Sequence, residues 1–350
     1  MIAGSVAGTG DGSVNGVQSF DGLTENNRSA ILLLNGIVYL AFGSVRDILP
    51  YHGWIFGYAH NAGKLSQVSI FNSTPNGSAG GIWSAGALAA DSLGNIFCGI
   101  GQGTFDASHS NFGNSFLKLQ PDSGTLTVAD YFTPFNNALL FSMDWDAGSG
   151  SPLLVPTQTG TLHPNLLIAG TKEGEGDPGY SPQGRIYVVD RDKMGKFHSG
   201  SDSQIVQSLL GEAGRIFTSP AFWNQDVFFG GAGSFVTSFL MKNDLLSPLS
   251  HSSITLGPRG ANPTISANGT SNGVVWILER IDNQTSGVLR AFDATNLATE
   301  LYNSSQNSGR DGLNASAGAF ESVVIANGKV YFAGNDLSGA TGKLFIFGLL

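Results

Sequence analysis

Cysteine is almost absent from this sequence. Cys98, in the apolar run "NIFCGI", is the single one, so no intrachain disulfide can form. Its apolar neighbours predict a buried and unreactive thiol. The six histidines are scattered and show no ligand spacing for zinc. The sequence therefore excludes a disulfide framework and gives no zinc signature.

Charge and long hydrophobic runs are also scarce. Only 12% of the residues are charged and the net charge is -9, which argues against nucleic acid as a partner. No apolar run reaches the roughly 18 residues of a membrane span, and the first residues lack the regions of a signal peptide. Seven N-x-S/T sites nevertheless favour a glycosylated protein of extracellular or periplasmic location, whose leader is not in this sequence: Asn27, Asn72, Asn76, Asn268, Asn283, Asn303 and Asn314.

Glycine is abundant, with 49 residues, and no run shows an apolar stripe of helical period. Many glycines predict many tight turns and short strands. Six apolar runs look like buried central strands, and each is flanked by further runs and hairpin turns: "GIVYLAFGS", "GNIFCGIGQG", "PNLLIAGTKEG", "QDVFFGGAGS", "NGVVWILER" and "GKVYFAGND". The unit is thus four antiparallel strands.

Tandem four-stranded units predict an all-β fold, a single β-propeller domain over residues 1–350 with six blades. The blades are expected near 28–72, 83–133, 150–210, 216–255, 261–304 and 320–350, with an inserted loop at 173–183. A β-sandwich or a solenoid is the alternative, but a sandwich predicts no four-strand period. The sixth unit stops after its third run, so we expect residues 1–6 to supply its outer strand and close the ring.

Two stretches resemble a known repeat. "GRIYVVDRDKMGKF" runs from Gly184 through Asp190 to a Gly195-Lys196 turn, and "GVLRAFDATNLATEL" repeats the glycine and the aspartate. They resemble the PQQ-type repeats of the quinoprotein alcohol dehydrogenase-like superfamily, in its uncharacterised secreted branch. The resemblance implies a propeller, commonly of eight blades, so this chain is expected to be a shortened relative or to lack two N-terminal blades. It also implies PQQ and Ca²⁺ as cofactors, although no cofactor is evident from the residues themselves.

Candidate site residues lie in loops expected at one mouth of the channel, because scaffolds of this kind carry function on loops. Asp106 and His109 are a candidate acid/base pair, with a plain polar loop as the alternative. Asp144 and Asp146 in "DWDAGSG" are candidate Ca²⁺ ligands, with a plain turn as the alternative. Lys172 and Glu173 are read as a solvated pair or as a ligand contact. The candidate ligand-binding residues are His52, Trp83, Lys172, Glu173, Arg215, Arg259, Arg310 and Asp311.

Three functions remain open at this stage. The first is a binding propeller without evident catalysis, whose mouth takes a small molecule or a glycan. The second is a PQQ- and Ca²⁺-dependent oxidoreductase acting on alcohols or sugars, which only the repeat resemblance suggests. The third is a polysaccharide lyase or glycoside hydrolase, which rests on analogy between folds.

Overall fold

A computed structural model describes residues 2–83, 86, 88–174, 184–281, 285–318, 320–339 and 341–348. Most of the predicted insertion at 173–183, and Asn283, lie outside these residues. The described chain is all-β, with only two short α-helices, α1 (Asn137–Ser142) and α2 (Ser308–Asp311), and two 3₁₀ turns, Ala107–His109 and Ala147–Ser149. Among these residues no helix is long and apolar enough to cross a membrane.

The main strands form six successive sheets in a six-bladed β-propeller arrangement, as predicted. Neighbouring main strands within each sheet are antiparallel, and the small strand β17 pairs in parallel with β13. Three short strands come first, and β10, β11, β17 and β27 are small strands between the main ones. The first three strands are β1 (Ser5–Ala7), β2 (Val17–Ser19) and β3 (Glu25–Asn26). Blade 1 consists of β4 (Leu32–Leu34), β5 (Ile37–Ser44), β6 (Trp54–Asn61) and β7 (Lys64–Asn72). Blade 2 consists of β8 (Ala89–Ala90), β9 (Ile96–Gly99), β12 (Phe116–Asp122) and β13 (Thr125–Thr133), with the small strands β10 (Phe105–Asp106) and β11 (Asn111–Phe112) between β9 and β12.

Blade 3 consists of β14 (Leu153–Leu154), β15 (Leu166–Thr171), β16 (Arg185–Asp190) and β18 (Gln207–Leu210), with the small strand β17 (Lys196–Phe197) before β18. Blade 4 consists of β19 (Ala221–Trp223), β20 (Asp226–Gly230), β21 (Val236–Lys242) and β22 (Leu245–His251). Blade 5 consists of β23 (Thr264–Asn268), β24 (Ser271–Glu279), β25 (Val288–Asp293) and β26 (Glu300–Asn303). The small strand β27 (Ala315–Ser316) precedes blade 6, which consists of β28 (Val324–Ala326), β29 (Lys329–Asp336) and β30 (Gly342–Gly348).

Turn chemistry sets the hairpins. Asn35-Gly36 joins β4 to β5 and Asn327-Gly328 joins β28 to β29, and all four residues have φ between 51° and 77°. A two-residue hairpin loop of this type needs positive φ at both positions, which Asn and Gly tolerate. In blades 1, 2, 4 and 5 the pairing of the third strand with the fourth shifts register near its third or fourth residue. The same irregularity at the same place marks the blades as copies of one unit.

The core consists of apolar layers between neighbouring blades. In β15, Leu166 and Ile168 pack toward blade 4, while Leu167 and Ala169 pack toward blade 2. This alternation follows the two-residue period of a strand buried on both faces. Comparable layers join blades 1 and 2, blades 4 and 5, and blades 5 and 6.

A belt of polar contacts joins the segments that lead into the first strand of each blade. The Gly86 amide donates to Ser151 Oγ over 2.7 Å, and Ser219 Oγ donates to Ser151 Oγ over 2.9 Å. The Ser219 amide donates to Asn262 Oδ1, and Asn262 Nδ2 donates to the Phe320 carbonyl. These first strands therefore face the central channel, and the belt holds blades 2 to 6 at their inner rim.

Arg28 completes the belt between blades 6 and 1. Its Nε donates to the Trp83 carbonyl over 2.7 Å, and its guanidinium lies 4.6 Å from the centre of the Phe320 ring. Among the described residues no apolar cluster contains side chains of both blade 1 and blade 6. The ring is thus joined here by a polar contact at its inner rim.

The prediction that residues 1–6 close blade 6 was wrong. β1 pairs with β2, and this hairpin lies against blade 1, where Ile2, Val6 and Phe20 cover Phe42, Trp54 and Phe56. The physical reason is that this face of blade 1 is a cluster of large aromatic side chains, which the N-terminal segment removes from water. β30 pairs with β29 on one side, and no described strand pairs with its other edge.

Candidate ligand site at the channel mouth

Five side chains converge at the inner rim of the ring and form what we call the arginine–aromatic cluster: Arg28, Trp83, Phe217, Arg259 and Phe320. Arg28 lies over the rings of Phe320 and Trp83, and Arg259 lies 5.1 Å from the ring centre of Phe217. The two phenylalanine rings are 6.3 Å apart and link the two halves. A guanidinium can stack on a ring through its face while its N–H donors point outward from its edge, so the arrangement suits a planar anion such as a carboxylate.

These residues meet because they occupy equivalent places in the repeat. Each lies four to six residues before the first strand of a blade, on the segment that enters the channel. Trp83 and Phe217 are buried, Arg259 and Phe320 are half-buried, and Arg28 is exposed. The residues of the cluster that keep exposed surface are therefore Arg28, Arg259 and Phe320.

Charges of both signs act on Arg28. Arg28 retains contact with solvent, but protein atoms surround its guanidinium, and this burial lowers its pKa. Asp146 and Asp47 act in the opposite direction, and the like charge of Arg259 lowers the pKa further. Two cations held within range of each other repel, and an anion between them relieves that repulsion.

An ionic network of two buried residues, Lys172 and Asp146, and the exposed Asp144 lies next to the cluster. Lys172 Nζ lies 3.0 Å from Asp146 Oδ2 and 3.1 Å from Asp144 Oδ1. Asp146 also accepts a hydrogen bond from the Gln102 amide. Burial raises the pKa of Asp146, and the Lys172 ammonium opposes that rise. The network fixes the segment after α1 against blade 3.

Lys172 and Glu173 do not form the solvated pair that the sequence suggested. Both side chains are buried, and each has its own partners. Arg185 donates to both carboxylate oxygens of Glu173, over 2.7 and 3.1 Å, and Asn136 donates to one of them. A bidentate pair of this kind has strict geometry, so Glu173 positions the backbone of blade 3.

Three other predicted site residues lie elsewhere or have structural contacts. His52 is buried, with Nδ1 2.8 Å from Thr74 Oγ1 and Nε2 2.9 Å from the Asp11 carbonyl, and burial lowers its pKa. Arg310 and Asp311 pair with each other on α2 and line a groove beside β30. The structure does not bring these three residues to the arginine–aromatic cluster.

The remaining candidates differ in surroundings. Asp106 and His109 form an exposed pair, with Nδ1 2.6 Å from Oδ2, and Asp106 also caps a 3₁₀ turn by accepting from the Ser108 amide. Their loop packs outward, where Phe105 contacts Tyr131 and Phe197. Arg215 is half-buried, and its backbone bridges to Ala232 of blade 4. Of the eight predicted ligand-binding residues, Trp83 and Arg259 therefore belong to the cluster, with Lys172 beside it.

Sequence reasoning missed Arg28, Phe217 and Phe320. A signal was present, because each stands four residues before the first strand of its blade. This signal shows only when the repeats are aligned on the first strand of each blade. In blades 1 and 6 that first strand is only three residues long and is hard to recognise in the sequence.

The residues present do not fit the cofactors that the repeat resemblance implies. Lys172 places an ammonium between Asp144 and Asp146, where Ca²⁺ would meet a positive charge at close range. No group of three metal-ligating side chains occurs in the described part of the chain. Trp83 is buried against Tyr51 and Arg28, which leaves no open indole face for a flat quinone. We derive no chemistry through either cofactor.

Comparisons with known proteins identify a fold. No protein-family profile matches the chain, and no curated protein matches it significantly. Sqt1 from Chaetomium thermophilum, bound to the N-terminus of the ribosomal protein L10, is similar with a TM-score of 0.50 and 12% identity over 94% of this chain and 76% of that one. In a second Sqt1 structure the match covers 89% of this chain and 66% of that one, with 12% identity and a TM-score of 0.47.

Two further matches are propellers of the type predicted from the repeat. BamB from Moraxella catarrhalis matches 99% of this chain and 93% of that one, with 10% identity and a TM-score of 0.41. A europium-containing methanol dehydrogenase matches 93% and 61%, with 14% identity and a TM-score of 0.36. The Sqt1 match with a TM-score of 0.50 supports the fold alone, and none of these matches shows an activity. We conclude that the chain has a six-bladed β-propeller fold, and these matches indicate no single branch of proteins with that fold.

Proposed function

We propose that this protein is an extracellular or periplasmic binding propeller whose channel mouth takes an acidic carbohydrate. The observation that carries the proposal is the pair of arginines, Arg28 and Arg259, stacked on aromatic rings at the channel mouth. Guanidiniums bind the carboxylates of uronic acid residues, and the half-buried Phe320 ring offers an apolar contact to a sugar face. The activity proposed is binding without catalysis.

The location outside the cell is part of the proposal. Asn268 and Asn314 are exposed and suit glycan attachment, whereas Asn72 is buried and accepts a hydrogen bond from the Thr74 amide. Treatment of the secreted protein with a glycosidase that removes N-linked glycans tests this part separately from ligand binding. A mobility shift that Asn268→Gln and Asn314→Gln abolish is expected, and its absence from protein made in a glycosylating host would contradict that part.

Calorimetric titration with oligouronates and with neutral oligosaccharides of equal length tests the ligand. We expect the uronates alone to bind, and Arg28→Gln with Arg259→Gln to weaken binding at least about tenfold. Arg259→Gln alone leaves the contact of Arg28 with Trp83 and Phe320 in place, so it remains informative if the Arg28 variant loosens the ring. Binding of neutral sugars with equal affinity would overturn the acidic ligand.

The matched control removes two cations at the far end of a blade. Arg191→Gln with Lys193→Gln changes the turn that follows β16, at the end opposite Arg185 and the channel mouth. This variant should bind the uronates as the native protein does. An equal loss of affinity in the control would mean that net charge alone attracts the ligand. Dye reduction with added quinone and Ca²⁺, or cleavage of the uronates, would replace the binding proposal with one of the two catalytic alternatives.

A further inference from the structure

In the described part of the chain blade 6 has no fourth strand, whereas the other five blades each have one. In blades 1 to 5 the third strand pairs with an antiparallel fourth strand: β6 with β7, β12 with β13, β16 with β18, β21 with β22 and β25 with β26. In blade 6 the third strand is β30, and no described strand pairs with its outer edge. The outward N–H and C=O groups along β30 are therefore available for pairing, as on any open edge.

A groove lies beside β30, in the position that the fourth strand occupies in the other blades. Its volume is 830 Å³, and it follows β30 from Leu344 to Gly348. Its opposite wall comes from blade 5 and α2 and includes Trp276, Tyr302 and Gly312. The groove is therefore as long as most of a strand, and its lining is largely apolar.

The described chain does not fill this groove itself. The hairpin of β1 and β2 is held on the aromatic face of blade 1 through Ile2, Val6 and Phe20. Leu344 and Ile346 in β30 keep 68% and 54% of their surface exposed. The strand has no proline, and its only charged residue is Lys343 near one end, so its apolar centre lacks the usual protection against pairing with another chain.

We propose that the edge of β30 binds an extended peptide of a partner protein, which adds as the fourth strand of blade 6, antiparallel to β30. Backbone hydrogen bonds supply affinity in this mode, and alternate side chains enter the groove and supply selectivity. Lys329 and Lys343 are exposed and lie at the two ends of β30, so the peptide carries acidic residues on either side of an apolar centre. A second copy of β30 would bring the same lysines, which favours the acidic partner.

The probe is a synthetic peptide with the sequence of β13, "TLTVADYFT", flanked by one aspartate at each end. β13 is chosen because it already fills the corresponding place in blade 2. The labelled peptide is titrated into the full chain and followed by fluorescence anisotropy. We expect saturable binding, which is lost when proline replaces the valine of the peptide, because proline removes a donor and cannot continue a strand.

Two variants of the protein separate edge pairing from general stickiness. Leu344→Ser with Ile346→Ser removes two exposed side chains of β30 and should weaken binding about tenfold. Leu93→Ser with Leu162→Ser removes two side chains of similar exposure, 85% and 83%, from hairpins of blades 2 and 3, and should leave binding unchanged. All four positions are exposed, so these variants fold.

Hydrogen exchange supplies the direct readout. Amides within Gly342–Gly348 should exchange more slowly when the peptide is bound, and those of β7 should not change. Binding without that protection, equal binding of the proline peptide, or no binding at all would overturn the proposal. A dimer whose Gly342–Gly348 amides are protected without peptide would overturn it in favour of a second copy.

Discussion

Lys172 and Glu173 are neighbours in the chain, yet their charges are satisfied by different partners. Lys172 pairs with Asp144 and Asp146, and Glu173 pairs with Arg185. Successive residues after a strand point in opposite directions, so adjacency in sequence does not bring two side chains together. The sequence identified these residues as important, but their partners depend on the packing of α1 and β16 beside them.

Asp226 is a buried carboxyl group at the start of β20, and burial raises its pKa to about 6. Since the folded pKa exceeds the unfolded one, the folded state holds the proton more tightly. The folded state therefore loses stability as the pH rises from about 4, near the unfolded pKa, through the folded pKa of about 6. We expect Asp226→Asn to stabilise the protein by about 2 kcal/mol at about pH 8 and to have little effect at about pH 4.

Urea unfolding at both pH values measures this difference. Asp122→Asn, an exposed substitution in β12, serves as the control and should change stability at neither pH. A gain of equal size at both pH values would show that the carboxylate charge is not the cause.

At the scale of elements, the N-terminal hairpin acts as a cover for blade 1. Phe20 makes edge-to-face contacts with Phe42 and Phe56, with ring centres 4.9 and 5.1 Å apart, and also touches Trp54. Without this cover the outer face of blade 1 would be an exposed aromatic patch. The hairpin is therefore part of the core of the first blade.

Phe20→Ala should destabilise the protein by about 2 kcal/mol, because it removes a half-buried ring that contacts three other aromatic side chains. Thermal unfolding followed by tryptophan fluorescence measures the loss, since Trp54 lies in the contact. Leu23→Ala, at a position 85% exposed, is the control and should leave the transition unchanged. An unchanged transition in Phe20→Ala would mean that the hairpin does not stabilise blade 1.

Local elements were the part of the fold that the sequence predicted best. The Asn-Gly turns at Asn35 and Asn327 have the positive φ that their composition demands, and the six central strands lie where the apolar runs placed them. The N-terminal strand was misplaced because "MIAGSV" satisfies the pattern of any edge strand. Which sheet it joins depends on the aromatic face of blade 1, whose side chains come from two paired strands, β5 and β6.

At the scale of the whole molecule, the six blades are not equally supported. Blade 3 has apolar layers on both faces, whereas blade 6 shares a layer with blade 5 alone in the described part of the chain. On its other face Val324, Leu344 and Ile346 remain exposed. Stability in such a ring therefore falls toward blade 6.

Native-state hydrogen exchange tests this gradient in the protein without ligand or peptide. Amides paired between β29 and β30 should exchange at least about tenfold faster than those paired between β15 and β16. Equal protection would show that the ring unfolds as one cooperative unit. The β9 and β12 pair, in blade 2 between two apolar layers, serves as a further reference and should behave as blade 3 does.

The site was less predictable from the sequence than the fold, because it depends on contacts between residues that are far apart in the chain. Arg28 and Phe320 stand almost at opposite ends of the sequence, and only the curvature of the ring brings them to 4.6 Å. The number of blades follows from the sequence period, but the way in which first and last meet does not. Trp83 and Arg259 were found because loop position alone marks them.

The contact between Arg28 and Phe320 has a mechanical consequence. It holds blade 6 to blade 1 at the inner rim, and in the described part of the chain no apolar cluster joins these two blades. A ligand at the channel mouth that contacts both side chains would stabilise this contact. It would thereby slow the local unfolding of β30 at the outer edge of blade 6. Binding of a ligand at the channel mouth and binding of a peptide to β30 would then each increase the affinity of the protein for the other.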